Sequence, residues 1–173
     1  YGPGQYIHPD QHAVAFNSTN PQKLVFGNDG GIWYSANRGT TVSEHNNNFN
    51  VTQYYSCAID PRAGKNRIIG GAQDNGSTMV DAPGISVGIN LTGSDGGYVA
   101  INALYPDTMF TTTQYATVRR TRTGGAPFQS ITNPALNDNN TLFINPLEIS
   151  STNPNYLFQG STVLWMHPTS SSG

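Results

Sequence analysis

The sequence predicts an all-β fold of repeated four-stranded antiparallel units, on three observations. First, one segment recurs four times along the 173 residues. The copies are Ala15-Phe16-Asn17 … Asn20-Pro21 … Leu24-Val25-Phe26-Gly27, Ala58-Ile59-Asp60-Pro61 … Ile68-Ile69-Gly70-Gly71, Ala100-Ile101-Asn102 … Tyr105-Pro106 … Met109-Phe110-Thr111-Thr112, and Glu148-Ile149-Ser150 … Asn153-Pro154 … Tyr156-Leu157-Phe158-Gln159-Gly160. Second, each copy reads as strand, Asn/Pro turn, strand. Third, the anchors Ala15, Ala58, Ala100 and Glu148 lie about 42 to 48 residues apart, the period of a four-stranded β-propeller blade. One such unit cannot bury its own faces, so the period implies radial stacking.

The first copy shows the elements in order. His12-Ala13-Val14-Ala15-Phe16 reads as an inner strand and Asn17 to Gln22 as a turn. Lys23-Leu24-Val25-Phe26-Gly27 is a second strand. Asn28-Asp29-Gly30-Gly31 is a tight turn, where glycine tolerates positive φ. Ile32-Trp33-Tyr34-Ser35 is a third strand rich in aromatic β-formers. Thr40-Thr41-Val42-Ser43 opens a fourth. Trp33 and Tyr34 are expected to divide, one buried between blades and one partly exposed. Extended over the chain, the blades span approximately 12–50, 53–92, 97–132 and 142–173, after a lead-in over 1–11. Four blades are about half of a closed ring. The chain opens on Tyr1 without a targeting signal, and its last copy breaks off at Gly173. The expectation is therefore a fragment of a six- to eight-bladed propeller, completed by the rest of its own polypeptide or by other chains.

Composition narrows the function. Only 10% of residues are charged and the net charge is −2, so there is no electrostatic case for nucleic acid. No apolar run is long enough for a membrane span. The chain's one cysteine, Cys57, sits in an apolar strand and is expected to be a buried, inert thiol. An Asn/Thr-rich, Lys-poor composition points to a secreted or cell-surface protein. Asn-x-Ser/Thr triplets begin at Asn17, Asn50, Asn75, Asn90 and Asn139, glycosylation acceptors in a suitable host.

The turn after the third strand carries Ser35-x-Asn37-x-Gly39-x-Thr41-Val42. It is similar to the Asp-box, Ser-x-Asp-x-Gly-x-Thr-Trp, with Asn for Asp and Val for Trp. A short acceptor side chain there bonds turn amides. Thr121-x-Thr123-x-Gly125 and Thr169-x-Ser171-x-Gly173 fall at matching places, and the copy near Asp81-Ala82-Pro83-Gly84 is lost. These turns are read as structural staples. Gly27-Asn28-Asp29-Gly30-Gly31-Ile32-Trp33-Tyr34-Ser35, Gly70-Gly71-Ala72-Gln73-Asp74-Asn75-Gly76, Ser94-Asp95-Gly96-Gly97-Tyr98-Val99-Ala100-Ile101 and His8-Pro9-Asp10-Gln11-His12-Ala13 together resemble the BNR/Asp-box propeller superfamily, most of all its large secreted bacterial members. That superfamily includes sialidases, xyloglucanase-like glycoside hydrolases and sortilin-type receptors. The resemblance covers nearly the whole chain. It is specific for fold and poor for function.

In a blade, the second-to-third turn and the connection into the next inner strand open on one face. By this rule His8, Asp10, His12, Asp29, Asp74, Asn75, Asp95 and Gln114 belong to one polar axial face, and the staples to the opposite side. Such a face can bind sugar hydroxyls or a cation, or perform acid/base chemistry. Asp before Gly is equally a routine turn residue. In an extended segment His8, Asp10 and His12 share one side by period two, a cation or proton-relay arrangement or an inter-blade latch. No cofactor is expected beyond a possible structural cation on this face. Tyr54, Tyr55 and Tyr115 are candidate sugar-stacking platforms, and Arg119, Arg120 and Arg122 a solvated strand edge.

The resemblance to xyloglucanase-like hydrolases implies a catalytic carboxylate before a Gly-Gly pair, in an Asp-x-Gly-Gly stretch. Matching on Gly30-Gly31 puts Asn28 there, with Asp29 one residue later. An amide is no general base. A hydrolase acting on polysaccharide through two carboxylates, about 6.5–9.5 Å apart if inverting, would have to draw on Asp29 or Asp74. The preferred expectation is a non-catalytic propeller module binding glycan or a surface protein. A purely structural or assembly propeller is the third reading.

Overall fold

The computed structural model describes residues 7–47, 52–84, 86–136 and 141–168. Asn50, Asn139 and the Thr169-x-Ser171-x-Gly173 string lie outside the described residues. The chain forms two compact units, Tyr1–Val51 and Thr52–Gly173.

The first unit is one antiparallel meander, β1 Gln11–Phe16, β2 Leu24–Asn28, β3 Gly31–Ser35 and β4 Ser43–Glu44, in that spatial order. A register shift between Gln11 and Ala13 marks a bulge at the start of β1. Trp33 and Tyr34 are both half-buried. The Tyr34 ring meets His45 edge-on, with centroids 5.5 Å apart. Asn46 closes the end of this blade. Its Oδ1 accepts from Ile32 N at 2.7 Å and its Nδ2 donates to Gly30 O at 2.8 Å. Gly31 has φ +104°, and a Cβ there would sit 2.1 Å from Asn46 Oδ1, so the turn requires glycine.

The second unit holds β5 Ser56–Ile59, β6 Ile68–Ala72, β7 Gly76–Val80 and β8 Ile89–Thr92; then β9 Val99–Ile101, β10 Met109–Thr112, β11 Val118–Thr121 and β12 Gln129–Ser130; then β13 Leu147–Ile149, β14 Tyr156–Gly160 and β15 Leu164–Pro168. Each set is its own antiparallel sheet, paired only to its sequence neighbours. A single 3-10 turn, Pro134–Leu136, is the helical content among the described residues. No helix there is long and apolar enough to cross a membrane.

These three sheets stack face to face, with inner strands side by side: Val99 N of β9 donates to Ser56 Oγ of β5 at 2.8 Å. Alternation along the strands decides which side chains meet. Ile69, Met79 and Leu91 of one sheet pack on Val99 and Met109 of the next, with Ala58, Ile101 and Phe128 at the margin. The opposite face of that middle sheet gives Ala100, Phe110 and Val118 to Leu147 and Leu157 of the third. Covered on both faces, β10 is buried throughout, which explains its unbroken Met-Phe-Thr-Thr run. The three sheets are successive propeller blades.

The repeat itself has a physical meaning. In every copy the residue after the inner strand closes the first turn with the same bond: Asn17 N to Lys23 O, Asp60 N to Arg67 O, Asn102 N to Thr108 O and Ser150 N to Tyr156 O, all 2.9–3.0 Å. Its side chain then accepts from amides two or three residues on. Asn17 Oδ1 takes Thr19 N and Asn20 N, Asp60 Oδ1 takes Arg62 N, Asn102 Oδ1 takes Leu104 N and Tyr105 N, and Ser150 Oγ takes Asn153 N. The turn after the third strand is tied to the same end of its blade. Arg38 N donates to Gln22 O, and Gly124 N to Asp107 O. Within it Ser35 Oγ accepts from Gly39 N at 2.8 Å, and Asn37 Oδ1 from Thr41 N at 2.8 Å.

Cys57 departs from expectation: it is exposed. Alternation in β5 turns Ser56 and Ala58 toward the neighbouring blade and puts Cys57 and Ile59 on the other face.

Candidate functional site

The structure brings the sequence-derived candidates together in two groups, one in each unit.

In the first unit His8 and Asp10 precede β1, His12 lies within it, and Asp29 sits in the β2–β3 turn. Asp29 N donates to Asp10 O at 3.2 Å, bringing the turn to the lead-in segment. Asp10 N lies 3.3 Å from His8 Nδ1. His8 Nδ1 is also 3.4 Å from Asp10 Oδ2. His12 Nε2 bonds Asp29 Oδ1. Ligating atoms of His8, Asp10 and Asp29 all lie within 4.8 Å of one another. One imidazole and two carboxylates are a donor set for a divalent cation. A shared strand face is not what joins them, because His8 and Asp10 lie outside β1; the turn carrying Asp29 does. Asn28, where a hydrolase-like carboxylate would stand, is buried, and its Oδ1 accepts from Gly30 N at 2.9 Å.

In the second unit the candidates form a chain of hydrogen bonds across successive blades. Asp74, in the β6–β7 turn with φ 61°, donates its amide to Asp95 Oδ1 at 3.0 Å. Asp95 N and Ser94 Oγ both donate to Gln114 Oε1, at 3.3 and 3.0 Å. Gln114 opens the β10–β11 turn. There Tyr115 N donates to Phe143 O at 3.0 Å, on the segment leading to β13. Gln159 Nε2 of β14, fully buried, donates to Ala116 O at 2.9 Å. Asn75 is exposed, and its Nδ2 donates to Gln73 O at 3.0 Å. The β6–β7 and β10–β11 turns are thus each bonded to the connection into the following blade.

The aromatic candidates differ from one another. Tyr54 lies over Gly70, where a Cβ would come 2.6 Å from its ring, and its OH bonds Thr78 Oγ1 at 3.0 Å. Tyr55 OH donates to Gln73 Oε1. Tyr115 is exposed and meets Phe143 edge-on, with centroids 5.7 Å apart. Arg119 is exposed. Arg120 is half-buried, and burial lowers its pKa.

Sequence reasoning missed an ion network on the opposite turns of the second unit. Asp60, fully buried at its side chain, meets Arg62, with Nε to Oδ1 at 2.9 Å. Arg62 continues to Asp107 at 3.0 Å. Arg67 contacts Asp107 at 3.3 Å and Asp81 at 2.8 Å. The hydrogen bond from Arg62 holds the Asp60 carboxyl down to about 2. Arg62 also lowers Asp107, while Asp81 raises Arg67. The available signal was scarcity: with 8 basic and 10 acidic residues in the chain, charges beside one turn stand out.

The blades of the second unit, stacked through their inner strands and latched turn to turn, decide the architecture. The protein is a β-propeller module. No protein-family model matches this propeller chain, and no curated protein matches it. Solved structures similar to it include an ancestral GH74 enzyme, at 16% identity and TM-score 0.45, covering 91% of this chain and 25% of that one. An auxiliary nutrient binding protein from Bacteroides thetaiotaomicron is similar at 10% identity and TM-score 0.48, covering 88% and 36%. YCF48 bound to D1 peptide is similar at 9% identity and TM-score 0.46, covering 96% and 67%. The chain therefore spans about a quarter and about a third of the first two. The fold rests on the strand pairing above, not on these distant likenesses.

Proposed function

We propose that this propeller is a non-catalytic module of a secreted or cell-surface protein, binding a glycan or a protein surface through its polar turn face. One observation carries the reading: the polar turn groups are committed to holding turns. Asp95 accepts the Asp74 amide, Asn28 is buried on Gly30 N, and Gln114 gathers Ser94 and Asp95. What remains for a partner is a rigid surface of amides, hydroxyls and tyrosines, which suits recognition. A cation held by His8, Asp10 and Asp29 belongs to the same proposal as a structural element.

Incubating the full-length protein with polysaccharides while following both retention and reducing-end release tests it. Retention without release is expected. Release that disappears in Asp29→Ala or Asp74→Ala would replace the module with a hydrolase. For the cation, Ca²⁺, Mn²⁺ and Zn²⁺ are titrated during thermal unfolding. A saturating ion, at about a hundredfold its Kd, adds about 2.7 kcal/mol. A rise in Tm is expected that Asp10→Asn and Asp29→Asn abolish.

A further inference from the structure

We propose that a cleft between the first two blades of the second unit binds an acidic saccharide, with Arg119 receiving its carboxylate. This deepens the module reading above and rests on it. The cleft has a volume of about 610 Å³. Its floor is apolar, formed by Leu91 and Phe128 where they join the core between the blades. Among the described residues no carboxylate lines it, and Arg119 is the one cation in its wall. Arg62 and Arg67 are each held by aspartates, whereas no carboxylate among the described residues pairs with Arg119. A guanidinium without a counter-charge, set in a concave wall, is a bidentate receptor for a carboxylate.

The neighbouring groups specify what carries that carboxylate. Gln114 Oε1 is already engaged by Ser94 Oγ and Asp95 N. Asp95 N can only donate, so the amide's orientation is fixed and its NH₂ keeps both donors for a ligand. Thr117 adds a hydroxyl at the same wall. Tyr115 is 57% exposed and supplies a flat face, braced edge-on by Phe143. Tyr115 and Ala116 both adopt left-handed backbone, with φ 57° and 60°. Two consecutive non-glycine residues there persist only when the surroundings over-determine them. Here the bonds Tyr115 N to Phe143 O and Gln159 Nε2 to Ala116 O do so. The strained turn holds the ring at the cleft. Fixed donors, hydroxyls, an aromatic face and one unpaired guanidinium match a pyranose bearing a carboxylate. A peptide also offers carbonyl acceptors to these donors, so an acidic peptide is the competing outcome of the test.

The test uses the full-length protein and a panel of uronate and sialylated oligosaccharides, each beside its carboxyl-reduced counterpart, with an acidic peptide in parallel. Wild type is expected to bind at least one acidic saccharide about tenfold or more tightly than its reduced form. Arg119→Gln is expected to erase that difference, Arg119→Lys to restore part of it, and Tyr115→Ala to weaken both forms. Lys23→Gln, which removes an equal charge from the other unit, is expected to leave it intact. Equal binding of acidic and reduced forms, an unaffected Arg119→Gln, or preference for the peptide overturns the proposal. If saccharide or protein binding nevertheless persists, the module reading survives alone. If the protein captures neither saccharide nor protein, both fall.

Discussion

Asp60 illustrates how much one side chain does at a turn. Its carboxylate caps the chain reversal through Arg62 N and anchors Arg62 through its guanidinium. Its pKa is depressed from 3.8 to about 2 by that hydrogen bond. A carboxylate depressed in the folded state contributes stability that is complete above the unfolded value and is lost as pH falls through the folded one. Acid titration should therefore weaken the fold progressively from about pH 4 toward about pH 2. Asp60→Asn keeps the turn acceptor but removes the charge, so its acid unfolding curve should be flatter. An unchanged curve would show that the network adds nothing. The sequence marks Asp60 as a turn residue. It does not mark its partners, because Asp107 lies 45 residues from Arg62 and only the stacking of blades makes them neighbours.

Elements meet closely at β6 and the segment leading into β9. A Cβ on Gly71 would sit 2.0 Å from the Gly97 carbonyl oxygen, a backbone atom that cannot swing aside. Gly93 has ordinary φ and open space around its missing Cβ. Gly71→Ala should cost about 1–3 kcal/mol or more through overpacking, and Gly93→Ala should be neutral or stabilising by about 0.4–1 kcal/mol. Urea unfolding of both variants checks the pair, and equal effects would refute the close approach. Strand existence was legible here, because apolar runs and Asn/Pro turns are local signals. Ends moved slightly: β2 runs through Asn28, β3 begins at Gly31, and β4 narrows to Ser43–Glu44. The exposure of Cys57 was not legible. An apolar run does not say which of its two faces receives a neighbour.

For the molecule as a whole, the middle blade of the second unit is the keystone, since it has a neighbour on each side. Phe110 is wholly buried between it and the blade that follows. Phe110→Ala should cost about 3–5 kcal/mol, read as a lower denaturation midpoint. A loss below about 1 kcal/mol would mean that the interface collapses to fill the gap. The period of the sequence made the blades legible, and the polar turn residues followed from it by position. The division of those residues into a histidine–aspartate cluster and a latch of Asp74, Asp95 and Gln114 was not. Pairing between turns depends on loop paths that no periodic signal encodes. The turn-closing bond that recurs in all four copies has one more consequence. Each blade completes its ladder and its first turn within its own stretch of chain. Such hairpins can form on the microsecond scale before any blade docks, because only short loops have to close. A chain built this way can also lengthen by tandem duplication: a copied stretch brings its own turn closures with it and needs from its neighbours only an apolar face.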